Sequence, residues 1–257
     1  GDILFSRYDG NSWSNHWTFH DGTLPEPNTQ SLYGGERFIN GKFYAGFSIR
    51  YNIFRDYFAN NGFYFATTDD AVPSPQSQWF NANNQQFSLP FQNPDLEVSP
   101  GISLKVGEPS EDYGTSDLPR TTFDPAWTVT ESGAIHFVTR VDGRNVHYYK
   151  AADDTEFSSN NAGLIPNPQV RGKMFSYEGQ VFMVELLGGR VNVKTTPEGK
   201  DAWKIVYRGE ESTLYQHFNA IVEDDKLYVY LMQRGTNVVG EGDSRPLNFQ
   251  VLSLSEI

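Results

Sequence analysis

The chain has 257 residues, 15% of them aromatic, a formal net charge of -12 and no cysteine. That charge opposes binding to nucleic-acid phosphates and to anionic membranes, and the missing thiols exclude disulfides and cysteine-ligated zinc. No apolar run approaches the ~20 residues of a membrane-spanning helix.

No Asn-x-Ser/Thr acceptor and no leader pattern occurs, and Gly1-Asp2 leads straight into a strand pattern. The expectation is a processed or truncated bacterial protein, secreted or periplasmic.

In chain order, Ile3 to Trp13 reads as a strand, a turn and the start of a second strand. Phe38 to Arg50 is a hairpin turning at Asn40-Gly41, and Gly62 to Asp70 is a third strand that ends in an acidic turn before Trp79. Residues 80–120, rich in Asn, Gln, Pro and Gly, read as a long insertion in a single domain spanning 1–257. The hairpin pattern then returns at Val129 to Arg140, Phe175 to Leu186 and Ala220 to Arg234. Each is followed by a third strand, at Val146 to Asp154, Val191 to Gly199 and Leu247 to Leu254. Phe157 and Trp203 mark the start of outer fourth strands.

The first apolar residue after each hairpin turn is Phe43, Ile135, Val181 and Leu227, at spacings of 92, 46 and 46 residues. A four-stranded unit recurring at this period predicts an all-β fold, a β-propeller of antiparallel blades. About four to five blades are expected in this chain, either as a ring or as a piece of a larger one.

The stretch Ser6-x-x-Asp9-Gly10-x-x-Trp13 resembles a degenerate Asp box, in which Ser and Asp satisfy the turn's donors and Trp packs between blades. The order GDILFSRYDGNSW, HDGTLPEP, GGERFINGKFYAGFSIR and NNGFYFATTDD is similar to the later half of BNR-4 repeat propellers, a group that includes ulvan lyases. The resemblance implies a seven-bladed ring and eliminative cleavage of a uronic-acid-containing, often sulfated polysaccharide. It implies that the paired catalytic histidines lie in amino-terminal blades of the same protein, which would then be a partner of this chain. Arg50 matches a position where such proteins face the substrate with an arginine.

In a propeller the funnel is lined by the starts of the innermost strands and the ends of the second ones. That predicts Tyr33 to Arg37, Thr122 to Asp124, Arg171 to Lys173 and Tyr215 to His217 at strand starts, with Arg50, Arg140 and Arg234 at strand ends. Elimination needs a cation on the uronate carboxylate, a base and an acid. Arg50, Arg140 or Arg171 suits the first role, because guanidinium pairs with carboxylate or sulfate in bidentate fashion. His217 or Tyr215 suits proton transfer, and Lys173 and Tyr33 suit substrate binding.

Two other function classes stay open. Glu36, Asp124 and Glu185 offer paired carboxylates for glycoside hydrolysis. A non-catalytic glycan binder would stack sugars on Tyr33, Phe54, Tyr57 and Phe58. His136 and His147 read as structural or outward-facing, and His16 with His20 as a surface pair. The one ion considered is a structural Ca2+, with no other cofactor expected.

Overall fold

A computed structural model describes residues 2–21, 29–52, 60–92, 125–141, 144–161, 172–234 and 245–257. All its regular structure among these is β. The strands are β1 Ile3–Phe5, β2 Trp17–Asp21, β3 Thr29–Ile39, β4 Lys42–Asn52, β5 Asn60–Thr68, β6 Trp79–Asn81, β7 Gln86–Phe87 and β8 Phe91–Gln92. There follow β9 Ala126–Val129, β10 Ile135–Val141, β11 Arg144–Lys150, β12 Ser158–Asn161, β13 Lys173–Tyr177, β14 Gln180–Leu187, β15 Arg190–Pro197, β16 Lys204–Arg208, β17 Tyr215–Glu223, β18 Lys226–Gln233 and β19 Leu247–Ser253.

They form five sheets, in the orders β1-β2-β8, β3-β4-β5-β6-β7, β12-β11-β10-β9, β13-β14-β15-β16 and β17-β18-β19. In four of the five, strands adjacent in the chain are adjacent in the sheet. The exception is β8, which joins β2 in parallel. The chain divides into two compact units. The first comprises Gly1–Pro125, Thr139–Val146 and Asp154–Ser158; the second comprises Ala126–Val138, His147–Asp153 and Ser159–Ile257.

Turn chemistry sets the register. A two-residue hairpin turn matching the strand twist needs two successive positive φ angles. Asn40-Gly41 (51° and 77°), Glu178-Gly179 (46° and 71°) and Asp224-Asp225 (48° and 61°) supply them. From these turns β3/β4, β13/β14 and β17/β18 pair antiparallel without ambiguity. β12 and β16 begin one residue after Phe157 and Trp203, where the sequence marks a fourth strand.

The first unit is built on aromatics. Phe19 and Trp79 are fully buried and pack with Phe47, Tyr64, Phe5 and Trp17, with Phe19 and Trp79 edge-on at 4.9 Å. In the second unit the β13–β16 sheet is apolar on both faces. Phe182, Val184, Val191 and Val193 meet Ala220, Leu227, Val229 and Leu231 of β17–β18. Met174, Val181 and Met183 meet Ala126 and Val138.

Two expectations need correction. Tyr33 to Arg37 reads as the entry to an innermost strand, yet these residues lie inside β3, where Gly34 pairs with Phe47. A Cβ on Gly34 would collide with the Gly46 carbonyl oxygen, so glycine here permits close backbone approach within a strand. Tyr33 and Glu36 therefore sit within β3, paired with Ser48 and Ala45, and do not precede it. Trp13 is 69% exposed and does not pack into a core. The Asp9 turn itself forms, its carboxylate accepting the N–H groups of Asn11 and Ser12, each at 2.8 Å.

Candidate functional site

Register alone gathers several of the expected site residues. At one end of the β13–β16 sheet, β14 turns into β15 through Gly188-Gly189, with φ of 61° and 83°. The Gly189 carbonyl accepts the Tyr215 N–H at 2.7 Å, tying this turn to the start of β17. A Cβ on Gly189 would lie 3.2 Å from both Leu214 Cβ and the Tyr215 oxygen. The Leu214 carbonyl accepts the Arg234 N–H at 2.8 Å, bringing in the end of β18.

Between Tyr215 and His217 the register shifts, so that Tyr215 pairs with Gln233 and His217 with Met232. The extra residue, Gln216, is exposed and its Oε1 accepts Arg245 Nη1 at 2.7 Å. A bulge of this kind re-aims neighbouring side chains and is common beside binding sites. His217 is exposed, and Tyr215 and Lys173 are half-buried.

Charge separates along these two sheets. Among the described residues, this end bears Lys173, Arg190, Arg208, Arg234 and Arg245, against Glu210 and Glu211. Arg190 Nη1 binds Glu211 Oε1 at 2.5 Å. At the opposite end stand Glu178, Glu198, Asp201, Glu223, Asp224, Asp225 and Glu256, against Lys200, Lys204 and Lys226. Among the described residues, one end of these sheets is thus net basic in a strongly acidic chain, which favours an anionic ligand there.

Arg50 and Arg140 lie on β4 and β10, and their side chains, like that of Tyr33, are outside the described residues. Asp124, Arg171, Phe54, Tyr57 and Phe58 are outside them altogether. Glu36 is exposed mid-strand, so its expected place at a strand start is not met.

Glu185 is not available as a glycosidase carboxylate. It is fully buried and holds Lys194 Nζ, itself 1% exposed, at 2.5 Å. Burial pushes the Glu185 carboxyl up, and Lys194 opposes that shift. Hydrogen-bond geometry leaves both Glu185 oxygens unsatisfied, but the 2.5 Å separation from Lys194 is decisive for the charge pairing.

Three histidines are buried: His20, expected in a surface pair, and His136 and His147, which read as structural or outward-facing. His20 is fully buried, while His16 is exposed, so the two form no surface pair. Burial lowers His20 to about 4. His136 and His147, on β10 and β11, are also fully buried. The Gly199 N–H donates to His136 Nε2 at 2.9 Å, which leaves the proton of the neutral ring on Nδ1. That Nδ1 is 3.1 Å from His147 Nε2 and donates to it. His147 Nδ1 then donates to Asp201 Oδ1 at 2.6 Å. The Trp203 indole N–H lies 3.1 Å from the same His147 Nδ1 and competes for it; the shorter contact to a carboxylate sets the tautomer.

Desolvation lowers His136 to about 3, with His147 adding repulsion. Desolvation lowers His147 as well, against the pull of Asp201. Both rings are fully buried core structure. Among the described residues no group of three His, Asp or Glu side chains is placed to hold a metal ion.

No protein-family model matches the chain. It is 28% identical over 276 residues to the long isoform of ulvan lyase from Pseudoalteromonas sp. (strain PLSV), covering 99% of this chain and 25% of that protein. The long isoform from Alteromonas sp. (strain LOR) is 29% identical with the same coverage. The short isoform from that strain is 27% identical over 275 residues, covering 99% of this chain and 48% of that protein. The crystal structure of polysaccharide lyase Uly1 superposes with a TM-score of 0.75 at 27% identity, over 98% of this chain and 53% of that one. The chain thus spans between a quarter and about half the length of the lyases it resembles, and it resembles them along its whole length.

Proposed function

We propose that this chain is part of an ulvan-lyase-like enzyme that cleaves an acidic, uronate-containing polysaccharide by β-elimination. The observation that carries this reading is similarity to ulvan lyases over 99% of the chain. The basic end of the β13–β19 sheets adds physical support, because the substrate class is anionic and the rest of the chain repels anions.

In this reading one guanidinium, from Arg50, Arg140 or Arg171, neutralises the uronate carboxylate and makes the C5 proton removable. His217 and Tyr215 are assigned as the base that takes that proton and the acid that protonates the leaving oxygen. Lys173, Arg234 and Arg245 hold neighbouring acidic sugars. Tyr33, Glu36 and Asp124 are assigned to sugar hydroxyls.

The sheets belong to a β-propeller that is larger than this chain. Two observations favour it. The first strands of consecutive sheets lie side by side, β9 against β13 and β13 against β17. The outward face of β17–β19, with Ile221, Tyr230, Leu247, Phe249 and Val251, is apolar and exposed, and further blades of the same protein would cover it. A polymeric substrate places the enzyme outside the cytoplasm, secreted or periplasmic.

The test is to mix the protein with ulvan and with a neutral polysaccharide, following the ultraviolet absorbance of the unsaturated uronate product. Growth of absorbance on ulvan alone, reduced about 100-fold or more in His217→Ala or Tyr215→Phe, is the expected result. Release of reducing ends without absorbance would mean hydrolysis and would overturn the reading.

A further inference from the structure

Tyr8 and Trp13 are the most exposed aromatic side chains of the amino-terminal turn, at 53% and 69%. They are not loosely presented. Their backbones form an antiparallel bridge, and their ring centroids are 5.2 Å apart at 38°. The loop between them is tied by Asp9 Oδ1, which accepts two N–H groups, and by Asp9 N–H to the Ser12 carbonyl at 3.1 Å. The Tyr8 hydroxyl donates to the Gly10 carbonyl at 2.9 Å. Below it the Ser14 N–H donates to the Arg7 carbonyl at 2.7 Å, and the Arg7 N–H donates to Ser14 Oγ at 2.9 Å.

Two large rings exposed to water on a loop this constrained are preorganised for contact, since binding them costs little conformational entropy. We propose that Tyr8 and Trp13 form a platform for the apolar face of a pyranose ring, a glycan contact separate from the basic end of the β13–β19 sheets. The chemistry favours a sugar over a protein. The two rings lean on each other, so the free apolar surface is about one ring wide, enough for one sugar unit and far below a stable protein interface. Short polar residues edge it: Asp9, Asn11 and Ser12, whose side chains suit sugar hydroxyls. A chain held at two places is retained between cleavages, because the second contact becomes intramolecular. The choice of ligand rests on the polysaccharide reading above.

The experiment is affinity electrophoresis of the 257-residue chain in gels containing ulvan, with Trp13→Ala, Trp13→Phe and Tyr8→Ala alongside. Thermal unfolding checks that each variant is folded, and product absorbance is read separately on short ulvan oligosaccharides. The expected result is retardation of the parent, weakened about tenfold in Trp13→Ala and less in Trp13→Phe, with unfolding and oligosaccharide turnover unchanged.

Equal retardation of Trp13→Ala and parent overturns the platform, and so does a parent that no gel retards. If Trp13→Ala instead changes the sedimentation mass and not the retardation, the rings make a protein contact and the proposal fails. Retardation lost in Trp13→Ala with no elimination product from any form would keep the platform and discard the lyase reading. Turnover with equal retardation would do the reverse.

Discussion

Two neighbouring sheets of the second unit are built from similar sequence and meet different surroundings. In β13–β16 the central strands are buried almost continuously: six successive residues of β15, Val191 to Thr196, are buried. In β17–β19 burial alternates, with Leu227, Val229 and Leu231 inside and Tyr230 and Val251 outside. The first sheet is covered on both faces and the second on one. The covered sheet buries the charges of Glu185 and Lys194 as a pair, and its buried Asn192, Thr195 and Thr196 bond to backbone carbonyls. The half-covered sheet shows apolar groups, including the stacked Tyr228 and Phe249, to solvent. Hydrophobic pattern alone therefore does not say which face is inside; what lies next to the sheet does.

The largest effect is expected at the buried charges of β14 and β15. Lys194→Met should leave Glu185 ionisable and alone in the core, at a cost of about 3–5 kcal/mol in denaturant unfolding. Adding Glu185→Leu should recover most of that loss. Core truncation comes next: Leu227→Ala, on the shared face of the two sheets, should cost about 2–4 kcal/mol.

A smaller effect should follow pH. His136 is held at about 3 in the folded state, against about 6.5 unfolded. The unfolded chain therefore binds the extra proton first, and stability is full above pH ~6.5 and falls as pH drops toward 3. Between pH 6.5 and 5 the loss should be roughly 2 kcal/mol for this ring, and His136→Gln should flatten that slope. The smallest effect belongs to the open face. Phe249→Thr should change unfolding by about 0.5 kcal/mol or less, yet it should lower any self-association seen by sedimentation.

Much of the fold is legible because strand and turn signals are local. Asn40-Gly41, Glu178-Gly179 and the aromatics Phe157 and Trp203 each announce a structure within a few residues of themselves. Gly34-Gly35 misleads because glycine marks both a turn and a close strand contact, and only the partner residues Gly46 and Phe47 tell them apart. The site is less legible. Lys173, Tyr215 and His217 follow from the repeat, but Arg190, Arg208 and the Gln216–Arg245 pair do not. Their position depends on how two sheets meet at Gly189. The role of His136 and His147 was beyond any local pattern, since their partners Gly199 and Asp201 lie 63 and 54 residues away along the chain.

That last arrangement makes the two rings behave as one object. A backbone amide cannot reverse its polarity, so the Gly199 N–H imposes a direction on every proton down to Asp201. Neither imidazole can flip or change tautomer by itself without setting two donors, or two acceptors, face to face. The turn at Gly199 is thereby informed of the state of a carboxylate two residues further on through side chains from β10 and β11. Without that one N–H donor both tautomers would be free at once, and the φ of 63° at Gly199 rules out proline as a way to remove it alone.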